Sequence, residues 1–395
     1  MQHVDVAIVG GGIVGLTLAL ALKDTPCSVA VINNGPLTTP LLDKPTARVS
    51  AINQGNINAL EQTGAWQLIQ HDRVNPYGEM HVWDKDSFGD IHFSASELAQ
   101  DSLGVIVENQ ALVNALAQRV EQLPNVTVIN GKIDRVLPSP QQTMLMMSQE
   151  QGSDDDIVTC RLLVGADGAN SYVRKQAGFP LTFKGYDHLA IVANVRTDLP
   201  HENVARQAFT STGPLALLPM ADPHVCSIVW SQQSEKAVEL MGLDDTSFCN
   251  ALYVASNGVL GSLSLETKRS DFPLTMRYAR QWAKDGVVII GDAAHTIHPL
   301  AGQGANLGMQ DALCLANLIA RLYEQQKDIG LLKHLREFER ARKTEAVKMI
   351  AAMDGFAYLF DGSHPLKKLI RGVGLAATDK LSAVKHAFVS HAMGL

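Results

Sequence analysis

The run Val4-Asp5-Val6-Ala7-Ile8-Val9-Gly10-Gly11-Gly12-Ile13-Val14-Gly15 decides the fold. Val4 to Val9 is short, apolar and rich in β-branched residues, which predicts a buried strand. Gly10 to Gly12 predict a tight turn, Ile13 to Lys23 a helix, and Ser28 to Ile32 a second strand. A strand–helix–strand unit implies a parallel sheet. Gly10, Gly12 and Gly15 have GxGxxG spacing. Glycines there let the backbone turn tightly and approach a pyrophosphate, while the helix start offers free N–H groups. The bland alternative is a glycine-rich turn that binds nothing. Such units usually end their second strand on an acidic residue that holds a ribose. Here the strand ends Val31-Ile32-Asn33, and Asn33 accepts a hydrogen bond without charge assistance.

The rest of the chain bounds the answer. Its 395 residues exceed the size at which one core stops growing, so two lobes are expected. With 46% hydrophobic and 18% charged residues it is globular in composition. The net charge of −7 and the lack of a strong basic patch argue against nucleic acid as a partner. Five cysteines, an odd number without CxxC spacing, make a disulfide framework or a zinc site unexpected and favour a cytoplasmic setting. Ile8 to Leu22 is apolar but broken by glycines, preceded by Asp5 and too short to span a bilayer, so it is neither signal nor anchor.

Helical spacing recurs at Gly55–Gln70 and Asn109–Gln122, and strands are expected at Val126–Ile129 and Leu162–Gly165. From Leu189 to Ser231 alternation replaces helical spacing, which predicts a largely antiparallel sheet. Met80–Trp83 and Asp90–Phe93 are expected to join it as a hairpin. Val287–Ile290 returns to the parallel pattern, a long helix follows from Asn306, and residues 331–395 read as helical, while Gly152–Asp156 is a solvated loop. The expected class is α/β with an α+β second lobe. A Rossmann-like lobe (1–75, 101–180 and 276–330) is interrupted by the hairpin (76–100) and the substrate sheet (181–275), and a helical region (331–395) closes the chain.

Further motifs sit at predicted strand ends. Gly165-Ala-Asp167-Gly168-Ala-Asn170-Ser171-x-x-Arg174 follows one strand and Gly291-Asp292-Ala-Ala-His295 another. Open α/β sheets bind ligands at that edge. Each aspartate has a bland reading as a helix cap. Then comes His298-Pro299-Leu-Ala-Gly302-Gln-Gly304-Ala-Asn306-Leu307-Gly308-x-x-Asp311, a glycine-rich loop running into a helix whose first N–H groups favour an anionic edge. One such pair is weak evidence, and three strand-end motifs are strong together.

These motifs resemble those of aromatic-ring flavin monooxygenases of the para-hydroxybenzoate hydroxylase type. The His298–Asp311 run is similar to the signature of the ubiquinone-biosynthesis branch. Val82–Gly89, Ala205–Gln207, Asp222–His224 and Cys226–Ser231 look closest to its VisC/UbiI-type 2-polyprenylphenol hydroxylases. The resemblance covers nearly the whole chain. It implies FAD contacts at Gly10, Gly12, Ile13, Val14, Gly15, Asn33, Arg48, Asn109, Val136, Asp167, Gly168 and Asp292. It adds Pro299, Gly302, Gly304, Asn306 and Leu307 beside the ring, and departs only at Asn33, where the family has Glu.

The resemblance implies an FAD-dependent monooxygenase with O2 as co-substrate. Reduced flavin would form a C4a-hydroperoxide whose distal oxygen enters the ring of a polyprenylphenol. One GxGxxG unit leaves no second Rossmann lobe, so NAD(P)H visits transiently or another protein delivers electrons. His295 and His298 are the nearest candidates for a catalytic base, against a structural reading in which each bonds loop backbone. Leu215, Leu217, Leu218, Ile228 and Trp230 line an isoprenoid channel or are simply core. Lys367, Lys368, Arg371, Lys380 and Lys385 offer a peripheral membrane or partner contact, or a solvated face. Other ubiquinone-pathway proteins and a second copy of the chain are the remaining candidate partners. The alternatives are a same-fold isoprenoid double-bond reductase and a non-catalytic flavin-binding subunit.

Overall fold

The structure is a computed structural model, and residues 1–139, 141–148, 156–296, 303–360 and 393 are described. Its first sheet carries the opening motif. Strand Gln2–Val9 pairs in parallel with Val29–Asn33 on one side and Asp156–Gly165 on the other. Val126–Asn130 extends the sheet in parallel beyond Val29–Asn33, and Val287–Ile289 beyond Asp156–Gly165. The central stretches Val6–Val9, Val29–Ile32 and Leu162–Val164 are apolar throughout because helices cover the sheet. Helix Ile13–Ala21 accordingly buries Leu16, Leu18, Ala19 and Leu20 all round, packed against the sheet and helices Asn109–Val120 and Gln303–Glu324.

Register aligns the strand ends. Val9 lies beside Gly165, and Gly165 beside Ile289. Ala166 N donates to Val9 O at 2.8 Å, Gly10 N to Ile32 O at 2.9 Å, and Ile290 N to Gly165 O at 3.0 Å. The three strand-end motifs therefore open from one carboxyl edge.

The second sheet has nine strands. Its spine is Leu181–Thr197, antiparallel to Val225–Gln233 and to Ser270–Ala279. The expected hairpin exists as Glu79–Asp84 and Asp90–Ser94, and its first strand pairs in parallel with Val204–Thr210. Side chains alternate across this sheet. One face, with Ile191, Ala193, Val195, Leu215, Leu217, Ile228 and Trp230, packs against helices Ser234–Gly242 and Asp245–Ala255 as a core of its own. The other turns to the first lobe: Asn194 Nδ2 donates to Pro45 O at 2.8 Å and Ser227 Oγ to Ala47 O at 3.3 Å.

Several local expectations shift. The helix expected over Gly55–Gln70 stops at Thr63, because Gly64 takes a left-handed φ of 77° and ends it. Its start is capped by Asn53, whose side chain accepts from Asn56 N at 3.0 Å. Strand Ser270–Ala279 runs past the expected boundary at residue 275 and belongs to the second sheet. Two features lacked a sequence signal: the hairpin Lys132–Leu137 with Thr143–Ser148, and the small sheet of Val49–Asn53, Gly104–Glu108 and Val74–Tyr77.

Candidate active site

Crowding explains the glycines of the opening turn. Gly10 has φ 114°, and a Cβ on it would stand 2.3 Å from Ala166 O. A Cβ on Gly15 would stand 2.0 Å from Gly10 O. Both hold strand, turn and helix in contact. A Cβ on Gly12 would meet nothing within 4 Å, so its open side faces the space a ligand needs. Val14 lies against the remaining motifs: a Cβ on Gly308 would meet Val14 Cγ2 at 2.6 Å, and one on Gly291 at 3.1 Å.

Asn33 is tied to backbone on both sides of its amide. Its Oδ1 accepts from Gly11 N at 3.1 Å, and its Nδ2 donates to Gly35 O at 3.0 Å. The amide stitches the glycine turn to the exit of its own strand. The oxygen expected to face a ribose hydroxyl accepts one backbone bond and keeps a second lone pair.

Arg48 is exposed, with no carboxylate in ion-pair contact among the described residues. Its loop is held from below. Glu108, 1% exposed, pairs with Arg73 at 3.0 Å and accepts from Thr46 N at 3.0 Å. Arg73 Nη2 donates to Leu42 O at 2.7 Å. Asn109 N donates to Arg48 O at 3.0 Å, and Ser50 Oγ to Asn109 Oδ1 at 2.7 Å. Arg73 and Glu108 escaped the sequence reading because no motif marks a buried pair 35 residues apart. Val136 is buried in strand Lys132–Leu137, where it packs in the core.

Asp167 is tied into the turn that follows it. It accepts from Ser171 Oγ at 2.5 Å, Tyr172 N at 2.6 Å and Val173 N at 3.1 Å, and so satisfies the first N–H groups of helix Tyr172–Gln176, whose N-cap is Ser171. Gly168 beside it has φ 78°. Buried Arg174 links this motif to the next, donating to Ala169 O at 2.8 Å and Ala293 O at 2.9 Å. Burial lowers the Arg174 pKa, and nearby Arg277 adds to that while Asp167 opposes it. Asp292 keeps a solvent-reached carboxylate crowded by protein. That burial raises its pKa, against the pull of His295 and Arg277. Arg277, half-buried on strand Ser270–Ala279, is a cation at the site that no motif announced.

His295 is sealed in. It is 2% exposed, stacks on Trp282 at 4.8 Å and bonds Asp311 at 2.6 Å through Nε2. Asp311, 0% exposed, also accepts from Arg342 Nε at 2.7 Å and Gly291 N at 3.1 Å. Burial would raise the Asp311 pKa, yet His295 and Arg342 hold it below the usual carboxylate range. This geometry favours the structural reading of His295: its ring stacks on Trp282, its Nε2 bonds Asp311 and solvent is shut out, while its Nδ1 finds no hydrogen-bond partner among the described residues. Asn306 is likewise a tie, its Oδ1 accepting from Asn53 N at 3.0 Å and its Nδ2 donating to Ala51 O at 2.7 Å. Leu307 is buried, and Gly304 has open space around it near the start of helix Gln303–Glu324. His298, Pro299, Gly302 and the basic run from Lys367 to Lys385 lie outside the described residues.

The residues present fit a flavin dinucleotide. A pyrophosphate has a bare glycine turn and an unpaired arginine, and a polyhydroxyl chain has the Asp292 carboxylate. Fold and site together define an FAD-dependent monooxygenase. A family described as FAD binding domain matches residues 3–350, and the chain belongs to it. The ubiquinone biosynthesis monooxygenase COQ6 of Xenopus tropicalis is 33% identical, covering 98% of this chain and 93% of its own length. The 3-demethoxyubiquinol 3-hydroxylase of Escherichia coli is 31% identical over 100% of this chain and 99% of its own. The ubiquinone hydroxylase UbiL of Rhodospirillum rubrum is 32% identical over 99% and 89%. These relatives support the ubiquinone-pathway branch without singling out the VisC/UbiI type. The p-nitrophenol 4-monooxygenase PnpA of Pseudomonas putida shares the fold, with a TM-score of 0.80 at 18% identity over 100% of this chain and 99% of that one.

Proposed function

We propose that this protein hydroxylates the aromatic ring of a polyprenylated phenol or quinol intermediate of ubiquinone biosynthesis. O2 is the co-substrate and NAD(P)H the electron source. The observation that carries the reading is a wall. On the sheet face turned toward Pro45–Arg48, Ala216, Leu218 and Val229 are incompletely buried, while Leu215, Leu217, Ile228 and Trp230 face away into the core. An apolar ring and tail fit against such a wall.

Bound FAD supplies the oxygen-activating redox chemistry. The chain's own residues bind, orient and exclude water. The glycine turn and Arg48 would hold the pyrophosphate of FAD, Asp292 would accept from its ribityl hydroxyls, and the apolar wall would keep water from the ring. Asn194 Oδ1 and Ser231 Oγ are buried polar atoms on the same face without a hydrogen-bond partner among the described residues. A substrate oxygen that satisfies either one would fix the ring's orientation. A VisC/UbiI-type polyprenylphenol specificity is the finer form of this reading, and contact with a lipid surface would give access to a long tail.

The test uses FAD-loaded protein, a short-chain polyprenylphenol, NAD(P)H and 18O2. Mass spectrometry should find one 18O atom in the ring. A saturated tail without label would favour the double-bond reductase, and a protein that binds FAD but turns over no phenol would favour a non-catalytic subunit. A knockout that leaves the quinone pool intact would remove the pathway assignment.

A further inference from the structure

The hairpin at the far edge of the second sheet brings together side chains that the flavin site does not use. His81 and His92 are directly opposite in register, and Asp90 lies two residues before His92 on the same face. Their rings stack with centroids 3.9 Å apart and planes 14° apart. Both Nε2 atoms aim at one carboxylate: His81 reaches Asp90 Oδ2 at 2.8 Å, and His92 reaches Asp90 Oδ1 at 3.1 Å. The three donor groups lie within 4.8 Å of one another.

We propose that His81, Asp90 and His92 form a divalent-metal site for a borderline ion such as Zn2+. Two imidazole nitrogens and one carboxylate are a donor set that suits Zn2+, Ni2+ or Cu2+ better than Ca2+ or Mg2+. Metal–ligand distances of about 2.0–2.2 Å put tetrahedral ligand atoms roughly 3.3 Å apart, so the donor atoms are near the needed spacing, and the stacked rings would swing apart so that both lone pairs meet one ion. His81 is steadied from the side by Trp83, whose ring is 4.7 Å away and which is buried opposite Asp90 in register. His92 and Asp90 are 60% and 51% exposed, which leaves the ion an entry path and room for water in the remaining coordination positions. Asp86 and Asp84 on the same turn are not part of the set, since Asp84 accepts from Asp86 N and Ser87 Oγ. The cysteine spacing made a zinc site unexpected, and the strand register supplies one from histidines instead. The ion would cross-link two strands at a sheet edge and staple the hairpin.

The test is calorimetric titration of Zn2+ into chelator-treated FAD-loaded full chain. One equivalent should bind, and Tm should rise because the ion binds the folded hairpin alone. His92→Gln and His81→Asn should each weaken binding by roughly tenfold or more, and Asp90→Asn likewise, with flavin content and hydroxylation unchanged. His92 is exposed, so its variant keeps the fold, and a melt without metal checks this. No stoichiometric binding, or binding that survives all three substitutions, overturns the proposal.

Discussion

Asp311 and His295 meet at 2.6 Å in the interior, the first at 0% and the second at 2% exposure. Arg342 closes the other side of the carboxylate at 2.7 Å, and Gly291 N bonds it at 3.1 Å. One anion thus joins the segment bearing Asp292, the helix Gln303–Glu324 and the helix Leu332–Phe360. Removing one partner of a buried charge cluster costs far more than the cluster contributes. Asp311→Asn should therefore lower stability by about 3–5 kcal/mol, read by urea unfolding of the apoprotein. His295→Ala should do the same and shed flavin; normal stability with lost turnover would favour the catalytic reading.

The same carboxylate sets an acid limit. Asp311 titrates below its ordinary value in the folded state. Its stabilisation is present above the unfolded pKa and disappears as pH falls through the folded one. A urea series across the acidic range should show stability falling there, and Asp311→Asn should flatten that part of the profile.

Asp292 has the opposite sign. The protein crowding it raises its pKa, so its ionised form opposes folding once pH exceeds the unfolded value, an effect that solvent keeps small at this exposed side chain. Asp292→Asn should raise the Tm of the apoprotein at neutral pH while weakening FAD. A variant that loses both stability and FAD would show that the carboxylate is structural.

Gly12 and Gly15 separate binding from folding. Gly12 has open space and extended backbone, so Gly12→Ala should leave stability within ~0.5 kcal/mol. Its methyl would occupy the pyrophosphate's approach, and FAD affinity should fall at least about tenfold, or ~1.4 kcal/mol. Gly15→Ala collides with Gly10 O and should destabilise the fold by about 1–3 kcal/mol. Equal melting curves for the two variants would contradict this division.

Arg48 is exposed and makes no ion pair among the described residues. Arg48→Ala should leave apoprotein stability unchanged and cost about 1.5–3 kcal/mol of FAD binding, with reduced salt dependence. Titration of apoprotein with FAD at two salt concentrations checks both.

The sequence alone determined the Rossmann-like lobe, its glycine turn, the inserted alternating sheet and the strand ends where ligands gather. Those features are local: a steric demand for glycine, a period of two or 3.6, an apolar run between turns. The tertiary structure decided what the polar side chains do. Asn33 turned to Gly11, Asp167 to the first N–H groups of a short helix and His295 to Asp311, because each partner is chosen by register and packing across 16 to 22 residues or within a tight turn. It also decided which side of the second sheet each apolar residue serves, sending Leu217 into the core and Leu218 toward the first lobe. One residue of register separates those two environments, and composition carries no trace of which neighbour goes where.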